Sequence, residues 1–395
     1  MSIDRADFDA VSENDLVELV TAQVPEGLRI EYKLQTYGNS DGERRELLKD
    51  LSALANSHGG HLIIGMDEQE GVASRGAGIG EIDADAELLR MEQIARGGLE
   101  PRIPGLRMRA VPLAAGGHAL VLRVPRSWNP PHRVVAQGSN RFYLRHSAGV
   151  HEPNVEELQV LFAASSSSLE RARQFRADRL QMIQSAAGVR PLVNQGRLIV
   201  HIVPIASFSG AIFLDMEDVH AQHMAFRPIG AQGLTPRFNY YGFVNERGGD
   251  ENHGYTQVFR TGPLKATKAQ IVRERVGQRF IPGLALERYF FEVFSAYLNG
   301  LKAVGVPPPL VIMVTLEGVA GVNYIVRRNV WDDYEPPLPE SVLALPECIL
   351  EDYGTDAEHH NAVKPAFDAL WNAIGYSESQ FFREDGLWIG ERQQG

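Results

Sequence analysis

Residues 24–67, VPEGLRIEYKLQTYGNSDGERRELLKDLSALANSHGGHLIIGMD, contain two hydrophobic periods and one glycine pair, and they admit few folds. From 28 to 33 apolar and charged residues alternate, which predicts a strand with Leu28, Ile30 and Tyr32 toward a core. Arg29, Glu31 and Lys33 then share the open face. From 42 to 56 the spacing becomes helical, with Leu47, Leu48, Leu51, Leu54 and Ala55 on one stripe and Arg45 and Lys49 off it. Gly59-Gly60 predicts a helix stop with positive φ. Leu62-Ile63-Ile64 reads as a short buried strand, and Met66-Asp67 as its end, where side chains meet solvent.

The acids of this stretch point to chemistry. Glu26, Glu31 and Asp67 are expected to converge as a three-carboxylate metal site, catalytic and metal-holding at once. Strict alternation would put Glu26 opposite Glu31, so convergence requires the chain to turn at Gly27. Carboxylate oxygens suit hard divalent ions, Mg2+ or Mn2+. Spacing alone favours the plainer reading, in which the acids sit on exposed strand ends beside Arg29 and Lys33 as ordinary surface pairs. Further along, alternation in RFYLR places Arg141, Tyr143 and Arg145 on one face. Two guanidiniums around a ring suit phosphate and base contacts, with Lys33 as a further phosphate ligand. The plainer alternative is a solvated strand face, and His146 next door reads as structural or solvated.

An E-Y-K strand, a helix ending A-N-S-H-G-G, an L-I-I-G strand with a terminal acid, and the later NRFYLR segment together resemble the Schlafen-type Alba-like (AlbA_2) domain. The resemblance covers roughly residues 12–163. Nuclease members of that family carry two glutamates five residues apart and an aspartate after the apolar strand; here those positions are Glu26, Glu31 and Asp67. Two positions depart from the pattern: Gly27 replaces a small hydroxyl residue, and Met66-Asp67-Glu68 replaces V-D-D. The resemblance implies a structured RNA substrate such as tRNA or rRNA. Because only one lobe of the family's two-lobed clamp is visible, it also implies a homodimer or a groove completed by the second domain. Phage defence is a candidate setting, and the Ala/Arg-rich composition fits a bacterial chain.

At 395 residues the chain predicts two domains. The fold class expected is α+β: an Alba-like mixed α/β domain over 1–165, a linker helix over 166–189 and a second α+β domain over 190–395. The single Cys348 excludes an intramolecular disulfide and a Cys-rich zinc site, and the default is a reducing, cytoplasmic compartment. The acidic N-terminus shows no secretion signal. The most apolar later run, PLVIMVTLEGVAGVNYIV, is broken by Glu317 and reads as two strands, so no membrane span is expected. A net charge of −11 argues against coating nucleic acid through bulk charge and leaves room for a local basic groove.

Residues 12–22 read as an opening helix capped by Ser12, 71–80 as a glycine-rich turn with no phosphate-loop signature, and 84–96 as a helix. Residues 106–113 and 119–124 read as paired strands. A helix at 154–163 is followed by a boundary at 165–168. The helix beyond carries Arg173, Arg176 and Arg179, which either extend a basic groove or form a solvated face. In the second domain strands are expected at 198–205, 211–214, 238–244, 255–260 and 309–316, an aromatic helix at 285–303 and a last helix at 365–374 opened by Pro365. Phe238, Tyr240 and Tyr241 read as strand packing, 245–253 as an exposed loop, and Asp356 with His359 and His360 as a remote metal pair. The leading function is a divalent-metal-dependent endoribonuclease. A non-catalytic nucleic-acid-binding regulator is the alternative, and an ATP-binding protein the third.

Overall fold

The computed structural model describes residues 3, 8–80, 82–147, 149–193, 195–209, 212–231, 233–246, 253–326 and 336–390. The chain divides into two α+β units, Met1–Ser168 and Leu169–Gly395.

In the first unit, α1 (Glu13–Thr21) starts where Asp15 Oδ2 accepts the Ser12 N–H at 2.9 Å. After β1 (Ile30–Lys33) comes α2 (Asp41–Asn56), opened by a reciprocal pair: Glu43 N donates to Ser40 Oγ and Ser40 N to Glu43 Oε2, each at 3.3 Å. Then follow β2 (Gly60–Ile64) and a hairpin of β3 (Met66–Gln69) and β4 (Val72–Gly76). The second half holds α3 (Ala84–Gly98), β5 (Leu99–Glu100), β6 (Arg107–Pro112), β7 (His118–Val124) and β8 (Arg133–Val134). It closes with β9 (Arg141–Phe142), β10 (Leu144–His146), β11 (Gly149–His151) and α4 (Val155–Gln184).

The main sheet runs β1-β2-β7-β6, with β1 parallel to β2 and the other pairs antiparallel. A parallel pair needs a crossover, and α2 supplies it. Leu62 and Ile64 face the layer of α2 and α3, while Ile63 faces Leu16 and Leu19 of α1. Burial on both faces explains why this strand reads as an unbroken apolar run. The glycine pair has a steric cause: a Cβ on Gly60 (φ +146°) would lie 2.0 Å from Arg29 O, and one on Gly59 (φ +66°) would lie 2.3 Å from Arg126 N. Leu28 lies outside β1 and is exposed, whereas Ile30 and Tyr32 are buried.

Two expectations for this unit change. The segment 71–80 is not all turn, because Val72–Gly76 is β4. The strand expected at 140–145 breaks at Tyr143: Asn56 Nδ2 donates to Tyr143 O at 3.0 Å, β9 pairs with β8, and β10 pairs with β11. At the expected boundary of 165–168, where the two units divide after Ser168, the chain continues as uninterrupted helix within α4. The Ser167 and Ser168 hydroxyls donate back to Ala164 O at 3.0 and 3.1 Å, so these polar residues are absorbed without a break.

The second unit adds β12 (Arg197–Pro204), α5 (Met216–Ala221), β13 (Thr235–Asn239), β14 (Gly242–Glu246), β15 (Gly254–Phe259) and β16 (Leu264–Ala269). Next come β17 (Arg273–Arg275), β18 (Gln278–Pro282), α6 (Gly283–Ala303), β19 (Leu310–Glu317) and β20 (Asn323–Ile325). The last elements are β21 (Val342–Ala344), β22 (Cys348–Leu350) and α7 (Asp356–Asn372). An antiparallel sheet runs β13-β14-β15-β16-β12-β19-β21, with β22 also on β19. Phe290 and Phe294 of α6 and Phe367 of α7 share one apolar cluster with Leu198, Val200 and Ile202 of β12. Inside it Glu287 accepts from Trp371 Nε1 at 2.7 Å, Trp388 Nε1 at 2.8 Å and Tyr324 OH at 3.2 Å; burial still pushes its carboxyl up to about 7.

Here too some expectations change. The strand expected at 238–244 is the β13–β14 hairpin, with Tyr240-Tyr241 at its turn. Tyr240 is 89% exposed, so it is not strand packing. Residues 212–214 form no strand, and residue 211 lies outside the described residues, as do 247–252 of the expected loop. The last helix begins at Asp356, where Thr355 caps it, so Pro365 lies inside α7 and does not open it. No helix of the described residues is long and apolar enough to cross a membrane.

Candidate functional site

The short loop before β1 brings the two glutamates together. Gly27 N donates to Ile30 O at 3.1 Å, and Tyr32 N donates to Glu26 Oε1 at 2.7 Å. The chain therefore does turn at Gly27, and the Glu26 side chain folds back along β1. A cleft of about 380 Å3 opens here, lined by Glu26, Glu31, Lys33, Glu46, Lys49, Asp50 and Arg145, with His146, Ser147 and Gly149 of the β10–β11 hairpin at one side. A larger groove of about 520 Å3 lies along α3, with Leu88, Leu89 and Ile103 beside Asp85, Glu92, Arg96 and Arg102, and it contains none of the acids of the smaller cleft.

Four carboxylates face three cations across the smaller cleft, and the pairing is uneven. Arg145 is buried, with Nη2 at 2.5 Å from Glu31 Oε2, Nε donating to Gly27 O at 2.5 Å and Nη2 to Ile30 O at 3.2 Å. Lys33 binds the other oxygen of Glu31, and Lys49 pairs with Glu46 at 2.5 Å. Burial alone would raise the Glu31 carboxyl; the Lys33 hydrogen bond and the Arg145 charge outweigh it and hold the group below the usual range. Glu26 makes no close ion pair among the described residues. Burial raises its carboxyl, the Tyr32 amide and, more weakly, the nearby Lys33 charge oppose this, and nearby Glu31 and Glu68 add to the rise. Asp50 is also raised, first by burial, although it accepts from Tyr37 OH at 2.6 Å.

The other expected site residues separate. Asp67 is outside the cleft lining, on β3, with Oδ2 at 3.7 Å from Arg75 and Oδ1 accepting the Glu68 N–H at 3.1 Å. The oxygens of Glu26, Glu31 and Asp67 do not gather into one ligand sphere. The one compact group of metal-type ligands among the described residues is His146, His151 and Glu157. Arg141 and Arg145 do not share a face, because β9 and β10 belong to different sheets. Arg141 is exposed and pairs with Glu152, while Tyr143 is half-buried. Arg173 is taken by Glu347, with Nε donating to Oε1 at 2.6 Å, and Arg179 lies 5.0 Å over the Phe259 ring. His360 packs 4.8 Å from Phe291 and accepts the Trp388 N–H at 3.2 Å. His359 is buried beside Phe294 with Nδ1 3.6 Å from Asp356 Oδ1, so Asp356 and His359 meet while His360 is held elsewhere, and the three do not gather as one ligand group.

Sequence reasoning missed Asp50 and Glu46. The signal was available: both lie on α2 near Lys49 and off the leucine stripe, where a helical reading places residues that face the strand bearing Glu31. As a donor set, Glu26 and Glu31 suit a hard divalent ion in kind. Glu26 suits it in charge as well, whereas both oxygens of Glu31 are already neutralised.

The first unit is a mixed α/β sheet domain with an acid-and-base cleft beside β1. Residues 26–154 match the Schlafen AlbA_2 family model, and the first unit carries that domain, which links the chain to nucleic-acid-related function. Among solved structures, the chain is similar to the N-terminal domain of an ATP-dependent DNA helicase RecG-related protein from Nitrosomonas europaea: 24% identity, 34% of this chain and 88% of that one covered, TM-score 0.27. It is also similar to a protein of Corynebacterium diphtheriae: 13% identity, 53% of this chain and 37% of that one covered, TM-score 0.26. No curated protein matches.

Proposed function

We propose that the first unit is a divalent-cation-dependent endoribonuclease acting on structured RNA, tRNA or rRNA, at the cleft of Glu26 and Glu31. The observation that carries this reading is the placement of both glutamates in one cleft with Lys33 and Lys49, inside a Schlafen AlbA_2 domain. Glu26 and Glu31 would hold Mg2+ or Mn2+, with Asp67 as the third carboxylate after moving off Arg75. A bound ion would supply Lewis-acid polarisation of the phosphodiester. Of the chain's own groups, Lys33 and Lys49 would exchange Glu31 and Glu46 for substrate phosphate, a charge-assisted contact of comparable strength. Arg145 would orient Glu31 from behind. A homodimer would supply a second wall for an extended substrate.

A second reading, a nucleic-acid-binding regulator without cleavage, is favoured by the neutralised state of Glu31 and by the Arg75 partner of Asp67. The test is incubation of the purified chain with total tRNA in Mn2+, Mg2+ or EDTA, alongside Glu26→Gln and Asp67→Ala, read on a denaturing gel and by filter binding. Discrete fragments that need metal and vanish in both variants support the nuclease. RNA retained on the filter but intact in every lane moves the assignment to the regulator. Cleavage lost in Glu26→Gln but kept in Asp67→Ala would leave the cleft as the site and remove Asp67 from it.

A further inference from the structure

The β10–β11 hairpin pairs Leu144 with His151 and His146 with Gly149. Directly opposed residues share a face, and His151 is two positions beyond Gly149, so the two imidazoles lie diagonally on the same face. They stack with centroids 4.4 Å apart and planes at 16°. Glu157, in the first turn of α4, places Oε1 at 3.7 Å from His146 Nε2 and 3.4 Å from His151 Nε2. One ligand atom from each residue falls within a mutual distance of 4.8 Å.

We propose that His146, His151 and Glu157 form a binding site for a first-row transition-metal ion, Zn2+ being the ion whose chemistry fits best. Zinc bonds of about 2.0–2.2 Å in tetrahedral geometry put neighbouring ligand atoms about 3.3–3.6 Å apart, which the two carboxylate–imidazole separations already approach. Two imidazole nitrogens and one carboxylate oxygen are a borderline donor set, suited to Zn2+ and poorly matched to Mg2+. The glutamate is also held in place. Its second oxygen accepts the Asn154 N–H at 2.8 Å, and its own N–H donates to Asn154 Oδ1 at 2.9 Å, which leaves Oε1 directed at the rings. The side chains of His146 and His151 are 59% and 36% exposed, so an ion has an entry path.

Three protein ligands leave a fourth position for water or an anionic oxygen. His146 also borders the cleft of Glu26 and Glu31, so the proposed site adjoins that cleft. The ion would pin the hairpin that carries Arg145 to the start of α4. The site stands on its own geometry and does not depend on RNA cleavage.

The test is isothermal titration of EDTA-stripped, desalted full-length protein with Zn2+, with the visible spectrum of the Co2+ form as a second readout. The expected result is one saturable equivalent, with intense Co2+ bands of a low-coordinate site. His146→Ala and His151→Ala should each abolish saturable uptake, and Asn154→Ala, a positioning change, should weaken it about tenfold. Exposed His58→Ala and the cleft variant Glu26→Gln should bind as wild type. Because His146 projects into solvent, its truncation leaves the fold intact, which far-UV circular dichroism checks. No saturable equivalent in the wild-type protein would overturn the site, as would unchanged uptake in both histidine variants.

Discussion

Arg141 and Arg145 are equivalent in the sequence pattern and opposite in the structure, so replacing each separates positioning from contact. Arg145 is 5% exposed and Glu31 11% at their side chains, and their pair lies 2.5 Å apart with two backbone carbonyls completing the guanidinium's bonds. Arg145→Ala would strand the Glu31 carboxylate with only Lys33, remove the guanidinium donor from Gly27 O, and leave Ile30 O with the Gly27 N–H alone. Breaking a buried pair from one side costs about 3–5 kcal/mol. In a unit of this size that corresponds to a fall in melting temperature of roughly 10 °C. Arg141 pairs with Glu152 in solvent, where such contacts contribute about 0–1 kcal/mol, so Arg141→Ala should melt within about 3 °C of wild type. The double variant Glu31→Gln, Arg145→Met removes both charges and should recover part of the loss. Differential scanning fluorimetry and urea titration read all four proteins. An Arg145→Ala protein that melts with wild type but no longer binds RNA would refute the argument, because it would make Arg145 a ligand contact and not a brace.

Two further predictions concern the fold. Gly60→Ala sets a methyl 2.0 Å from Arg29 O at a φ of +146°, so it should yield insoluble or largely unfolded protein, checked by soluble expression and circular dichroism; normal solubility would contradict the packing. Lys265 is buried on β16, and burial with the nearby Arg179 charge pushes its ammonium down to about 7 from 10.5. Between those values the unfolded chain binds the extra proton, so stability rises with pH across that window and is lost as pH falls toward about 7. Lys265→Met should therefore stabilise the protein most at pH 7 and below, by up to roughly 4 kcal/mol, with the gain shrinking toward pH 10 in urea titrations. A gain independent of pH would assign the effect to packing alone.

Much of the first unit was legible because local chemistry and tertiary demand coincide there. The leucine stripe of α2, the Gly59-Gly60 stop and the Leu62–Ile64 run each obey a period or a steric rule that a single segment carries. The turn at Gly27, and with it the meeting of Glu26 and Glu31, follows from the same local logic. The Schlafen AlbA_2 match over 26–154 agrees with the motifs quoted from that stretch.

What the sequence could not determine depends on partners distant in the chain. Alternation places Arg141 and Arg145 together, but Asn56 captures Tyr143 O from 87 residues away and sends the two arginines into different sheets. The sequence gives Asp67 and Glu31 the same acidic character. Only the fold hands one to Arg75 on a hairpin and buries the other against Arg145. His146 looked like a solvated neighbour until strand register set His151 beside it and the α4 cap turned Glu157 toward both. Periodicity reports which face of its own element a side chain occupies. Charge pairing and ligand geometry depend on which other elements that face meets, and only the packed chain decides that.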